Sequence, residues 1–273
     1  MGGRLHMTFG GVDRQYEVSL PDPYDHRVPA PVILSLHGLT SNIQEQDAVS
    51  NLPEAGGARG YIVVTPEALP ARLPVGGPNG LVANFWNMSQ LFSQAAAPAA
   101  TSDGPASTIV GASDDLGFLI AVLDQVAEDH CIDPDRQYVT GISNGAGMTV
   151  ALMCNNDQRF AAVSPVAGVN MGNTCAATRA TSIIAFHGDA DPLVSYGGGD
   201  MFGYHLGLPA VEQRLTEFGS LGGCQPTPIE VKPAEDARHL TWPCPGGLGG
   251  LGGLGVELYT IVGGGHTWPG ASS

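Results

Sequence analysis

Seven short β-rich runs separated by longer segments constrain this chain more than any other feature. They are Val12–Leu20, Pro31–Leu36, Tyr61–Thr65, Gln137–Ile142, Ala161–Val166, Ser182–Phe186 and Val256–Val262. Val12–Leu20 places Tyr16 and Val18 on one face and reads as an edge strand. The others are near-continuous apolar runs, the pattern of strands covered on both faces. Helices fit between them. Asp114 or Asp115 can cap a segment that carries Leu116, Leu119, Ile120, Leu123 and Val126 at helical spacing and ends before Asp133-Pro134. A second helix is predicted from Ser143 to about Asn155, and a third from Pro209 to Phe218. Strands alternating with helices imply an α/β protein with a mainly parallel, doubly wound sheet and helices on both faces.

The 273 residues suit one domain spanning 1–273. Hydrophobic residues make up 43% and charged residues 14%, a composition able to build a core. Two stretches break the strand–helix rhythm. Residues 66–108 are rich in Pro, Ala and Gly and read as a long excursion over one end of the sheet. Residues 246–255 repeat Gly-Gly-Leu and read as a surface loop.

The net charge of −15, with Lys232 the single lysine, argues against nucleic acid, anionic membranes and polyanionic substrates. Neutral esters, sugars and polymers remain. No apolar run reaches the length of a membrane span, roughly 18–20 residues. The start, Met1-Gly2-Gly3-Arg4, has no apolar core of a signal peptide, so the protein is either cytoplasmic or had a signal removed. Cys131, Cys154, Cys175, Cys224 and Cys244 form no CxxC and no zinc-like spacing with histidine. One or two disulfides and a secreted protein are expected, with one thiol left over in a monomer. No metal or cofactor is expected, because His, Asp and Glu spacing does not suggest a catalytic metal and the glycine tracts lack a phosphate-loop lysine.

Gly141-Ile142-Ser143-Asn144-Gly145 is a G-x-S-x-G placed directly after a predicted strand and before a predicted helix. That context suits a nucleophilic serine on a sharp turn, with the helix N-terminus favouring developing negative charge. His37-Gly38-Leu39-Thr40 follows the first buried strand, where a second oxyanion donor belongs. The backbone N–H groups of Leu39 and Asn144 are assigned to the hole, with Thr40 the alternative to Leu39. His37 lies too early in the chain for the base and reads as a structural hydrogen bonder. After Ser143, His187-Gly188-Asp189-Ala190-Asp191 follows a strand. Asp189 and Asp191 compete for the orienting acid, and Asp191 is favoured. His266, on Gly263-Gly264-Gly265 after the last strand, is the expected general base. Trp86, Trp268 and Tyr196 are candidates to line the cleft with Thr40, and Trp242 reads as structural.

These blocks resemble the α/β-hydrolase esterases grouped with polyhydroxybutyrate depolymerases, and the related feruloyl and acetylxylan esterases. The resemblance rests on Leu36–Thr40, Asn84–Asn87, Asp114–Phe118, Asp133–Gly145, Phe160–Val163, His187–Asp191, Tyr196–Gly198 and Gly264–Gly270, the last being the most specific. It implies that Ser143, Asp191 and His266 form a triad, and that the enzyme is secreted with disulfides. It suggests Cys154 with Cys175 and Cys224 with Cys244 as pairs. Family members often carry a cysteine after His-Gly or near the Trp86 block, where this chain has Leu39 and Met88. The implied activity is hydrolysis of small or polymeric carboxylic esters, feruloyl, acetylxylan or polyester, through an acyl-enzyme. A serine peptidase on the same fold and a binding module that has lost catalysis are the alternatives.

Overall fold

The computed structural model describes residues 3–73, 80–88, 113–156, 159–171, 180–201, 204–246 and 253–271. Its centre is a ten-stranded sheet in the order β1-β2-β4-β3-β7-β8-β9-β14-β13-β12. The strands are β1 (Arg4–Phe9), β2 (Val12–Ser19), β3 (Ala30–Leu36), β4 (Ile62–Pro66), β7 (Ile132–Ile142), β8 (Ala162–Val166), β9 (Ser182–Gly188), β12 (Ile229–Ala234), β13 (Ala237–Thr241) and β14 (Val256–Ile261). From β4 to β14 all pairings are parallel. Antiparallel hairpins extend both ends. Val12–Ser19 is therefore not the edge strand expected: β1 pairs along its length and takes the edge.

The helices are α1 (Ile43–Ser50), α2 (Leu52–Gly57), α3 (Asp115–Asp129), α4 (Asn144–Asn155) and α5 (Val211–Leu221). Asp114 caps α3, its side chain accepting from the Gly117 N–H at 2.9 Å. Phe118, Leu119, Val122, Leu123 and Val126 of α3 are buried in the main core with Met148 and Leu152 of α4 and Leu215 of α5.

The other sheet face is covered unevenly. α1 meets it through Gln46, which donates to Ser35 at 3.0 Å, and α2 lies over Ile33 and Val63. Beyond them, Tyr138, Ala162, Ser164, Ile184, Phe186 and Tyr259 follow one another in register and are only half-buried. Helices on both faces thus hold for only part of the sheet among the described residues.

The segment expected as a long excursion contains a hairpin, β5 (Pro70–Leu73) with β6 (Leu81–Asn84). Its Ala71 and Leu73, with Phe85, form a small second core against Leu39. A further hairpin joins β10 (Gly199–Met201) to β11 (Tyr204–Leu208). Residues 89–108 of the excursion and most of the Gly-Gly-Leu tract lie outside the described residues. Cys224 and Cys244 are joined as a disulfide and Cys131 is free. Cys154 is disulfide-bonded, and Cys175, its expected partner, lies outside the described residues. No described helix is long and apolar enough to cross a membrane.

Candidate active site

The chain runs from β3 to β4 on one side and returns to β7 on the other, so β3 and β7 flank a topological switch point. Crevices at the carboxyl ends of such strands are where ligands bind in open α/β sheets. Ser143 lies immediately after β7, and residues 37–40 immediately after β3.

Ser143 has φ 57° and ψ −119°, a conformation that side-chain-bearing residues rarely adopt and that costs on the order of 1–3 kcal/mol. Its backbone is fixed from both sides. The N–H donates to Val166 O at 2.9 Å, and the carbonyl accepts from Gly147 N–H at 3.0 Å as α4 begins. The turn closes only because Gly141 and Gly145 lack side chains. A Cβ on Gly141 would sit 2.6 Å from Gly145 O, and one on Gly145 would press on the carbonyls of Leu36 and His37. Asn144 begins α4, so its N–H lacks an intrahelical acceptor and faces the N-terminal, positive end of the helix dipole.

The histidine and the acid come from neighbouring strands. His266 Nδ1 lies 2.7 Å from Asp191 Oδ2. The loops that carry them are zipped together: Asp189 N–H donates to Ile261 O at 3.1 Å and Ala190 N–H to Gly264 O at 3.0 Å. Asp189, the competing acid, is exposed and accepts from Gly263 N–H at 2.6 Å, so it holds the glycine loop and not the imidazole.

Asp191 is buried, which by itself disfavours its charge. The N–H groups of His187, His266 and Val194 turned toward it outweigh that penalty and hold its pKa far below the usual carboxylate range. Its Oδ1 accepts from Leu193 and Val194 N–H at 2.8 and 2.9 Å. His187 Nε2 donates to Val194 O at 2.8 Å and lies 3.4 Å from Asp191 Oδ2. Sequence reasoning assigned His187 no role, although it stands in the same short block as the acid.

Neither Ser143 Oγ nor His266 Nε2 makes a hydrogen bond among the described residues. The structure brings His266 to Asp191 but does not close the link from His266 to Ser143. Catalytic contacts of this kind are often loose before substrate arrives.

The loop after β3 separates the two oxyanion candidates. Thr40 has φ 70°, and its N–H is already donated to Asn84 O at 3.0 Å. The Leu39 N–H has no protein acceptor among the described residues. His37 is buried, and burial lowers its pKa, against an opposing hydrogen bond to Gly38 O. Its Nε2 accepts from Ala68 N–H at 3.1 Å, so Nδ1 carries the proton and donates to Gly38 O at 2.7 Å.

The three aromatic cleft candidates are placed differently from expectation. Trp86 is 0% exposed and its indole N–H donates to His37 O at 3.0 Å, so it does not face substrate. Tyr196 is half-buried, its hydroxyl held at 2.8 Å from both Glu212 Oε1 and Thr260 Oγ1 and its ring set edge-on to His187. Burial raises its pKa. Its ring packs against His187, which in turn neighbours Asp191. Trp268 lines a hollow of about 250 Å³ on the open sheet face with Tyr138, Ser164 and Ile184, and none of Ser143, Asp191 or His266 borders that hollow. Trp242 is buried and donates to Thr216 Oγ1 at 2.9 Å, a packing role as expected.

A family model described as esterase PHB depolymerase matches residues 104–218. A probable feruloyl esterase C of Aspergillus niger is 24% identical over 217 residues, covering 80% of this chain and 65% of that protein. Feruloyl esterase D of Neurospora crassa is 24% identical over 237 residues, covering 87% and 69%. This chain thus spans about two thirds of the length of these relatives. Among solved structures, the acetyl xylan esterase from Aspergillus awamori superposes with a TM-score of 0.61 at 15% identity, over 98% of this chain and 95% of that one. At that identity the likeness is one of fold.

Proposed function

Starting from a chain that is a relative of the polyhydroxybutyrate-depolymerase, feruloyl and acetylxylan esterases and has the α/β-hydrolase fold, we propose that it is a serine carboxylesterase. Ser143 is the nucleophile, His266 the general base and Asp191 the orienting acid, in one catalytic domain. The observations that support this reading are the strained serine at a strand-to-helix turn after β7 and a 2.7 Å histidine–carboxylate pair on the loops after β14 and β9, all at the carboxyl ends of parallel strands. With Nδ1–H donating to Asp191, His266 keeps Nε2 free to take the serine proton once the two side chains meet.

In the reaction, His266 Nε2 takes the Ser143 proton as Oγ adds to the ester carbonyl. The negative oxygen is met by the N–H groups of Leu39 and Asn144. His266 then returns the proton to the leaving alcohol, and water repeats the sequence on the acyl-enzyme. Aspartate stabilises the imidazolium that forms transiently.

Feruloyl or acetylated-sugar esters are the favoured substrates, supported by the names of the relatives. Aliphatic polyester, including hydroxyalkanoate polymer, is supported by the description of the matching family. Secretion is supported by the Cys224–Cys244 disulfide, a bond that persists in oxidising compartments.

The test uses the protein and Ser143→Ala with para-nitrophenyl butyrate, methyl ferulate, acetylated xylan and an amorphous hydroxybutyrate film. Hydrolysis by the wild type alone supports the reaction class, and the ranking of substrates selects among the esters. Equal rates for both proteins would remove Ser143 from the mechanism.

A further inference from the structure

We infer that the segment Asn84–Asn87 is a positioning brace that holds the two halves of the oxyanion hole at a fixed separation, with Trp86 as its central residue. The inference rests on the esterase reading above. The hole draws one N–H from Leu39, after β3, and one from Asn144, after β7. These lie on separate loops, and preorganised donors stabilise a developing oxyanion only if their spacing is set before the reaction.

Residues 84–87 grip both loops. On the Leu39 side, Asn84 O accepts from Thr40 N–H at 3.0 Å and Asn84 Nδ2 donates to Ser41 O at 3.0 Å. Phe85 packs with the small core that Leu39 joins. The Trp86 indole N–H donates to His37 O at 3.0 Å, and the His37 ring lies 5.0 Å from the indole. On the Asn144 side, the Asn144 amide pairs with the Trp86 backbone at two points. Its Oδ1 accepts from Trp86 N–H at 2.7 Å and its Nδ2 donates to Trp86 O at 3.1 Å. Asn144 is 2% exposed and Trp86 0%, so water does not compete for these bonds.

The segment is itself anchored. Asn87 N–H donates to Asp115 Oδ2 at 2.7 Å, and Asn87 Nδ2 donates to Ser113 O at 2.8 Å. Asp115 Oδ1 is in turn 2.8 Å from the buried Arg14 guanidinium. The hole is thereby tied through one extended segment to β2 and to the first turn of α3. Trp86 sets the distance because its backbone meets one loop and its indole the other.

Trp86→Phe keeps an aromatic ring but removes the indole N–H that donates to His37 O, together with the five-membered ring, and so leaves a small cavity at this buried position. Three quantities decide its effect: kcat and KM for para-nitrophenyl butyrate, and Ki for an alkyl trifluoromethyl ketone. Serine addition to that ketone gives a hemiketal whose oxyanion occupies the hole. The expected result is a fall in kcat of about 10- to 100-fold, with KM within about twofold and Ki rising by the same factor as kcat falls. A purely structural role would lower the fraction of active protein and leave Ki unchanged.

Should Trp86→Phe fail to fold, Asn144→Ala, which releases the Trp86 backbone from the other loop, is expected to give the same coupled change. An active wild type with unchanged kcat in the variant, or with reduced kcat and wild-type Ki, would overturn the brace alone. A wild type that hydrolyses no ester would overturn the esterase reading and the brace with it.

Discussion

Replacing Asp191 by asparagine isolates the charge of the acid from its shape. Asp191 Oδ1 takes two backbone N–H groups, from Leu193 and Val194, and Oδ2 faces two histidines. An asparagine that keeps its oxygen toward Leu193 and Val194 must turn its NH2 toward His266. That meets the Nδ1–H donor with another donor at a separation of 2.7 Å. The imidazole relieves the conflict by moving its proton to Nε2, where it can no longer accept from Ser143. The expected loss in kcat is about 10⁴-fold, or about 5.5 kcal/mol of transition-state stabilisation. Asp189→Asn, which still accepts from Gly263 N–H, is the matched control and is expected within about twofold of wild type. Initial rates on para-nitrophenyl butyrate, with both variants checked for folding by circular dichroism, give the comparison. Stability supplies a second reading. The folded-state pKa of Asp191 is depressed, so its ionised form stabilises the native protein above the unfolded carboxylate pKa, about 3.9. That stabilisation is lost as pH falls through the lower folded value. Urea unfolding is therefore expected to show Asp191→Asn less stable than wild type at pH 7, with the gap narrowing below about pH 4. A loss of rate under tenfold, or a stability gap that does not change with pH, would refute the reasoning.

Two further outcomes follow from the same geometry. Asp115→Ala leaves the Arg14 guanidinium, 1% exposed, without its partner, and is expected to destabilise by about 3–5 kcal/mol in chemical unfolding. Arg14→Met in the same background should recover part of that loss. Reducing Cys224–Cys244, or replacing both by serine, opens a loop with a sequence separation of 20 and is expected to remove about 3 kcal/mol, seen as a lower Tm; an unchanged Tm would count against a stabilising role for this bridge.

Much of the local structure was legible in the residues. The near-continuous apolar runs became the parallel centre of the sheet, with β3 and β4 buried on nearly every residue and β7, β8, β9 and β14 buried on one face and half-buried on the other. Asp114 was readable as a cap, since a short acidic side chain before an apolar stripe satisfies the free N–H groups of the first turn. By contrast α1 was not foreseen. It carries few apolar residues and is held by the Asn42 side chain at Glu45 N–H and by the buried Gln46–Ser35 contact, a tertiary bond with no periodicity. β1 was missed for a related reason: Arg4–Phe9 is mostly exposed and gains its order from pairing with β2.

The sequence by itself determined which chemistry-bearing residues stand at strand ends, because a G-x-S-x-G between a strand and a helix, and acid and histidine blocks after later strands, are written in local order. Only the tertiary structure decided how they are used. Asp191 rather than Asp189 reaches His266 because the two loops zip in one register. Thr40 N–H is occupied because the chain returns at Asn84. Trp86 is turned inward onto His37, although a tryptophan in a Pro- and Gly-rich stretch looks like a wall of a cleft. Each of these depends on hydrogen bonds between residues far apart in the chain. Residue type and spacing specify that a donor or acceptor is present, whereas burial and the approach of distant backbone specify its partner.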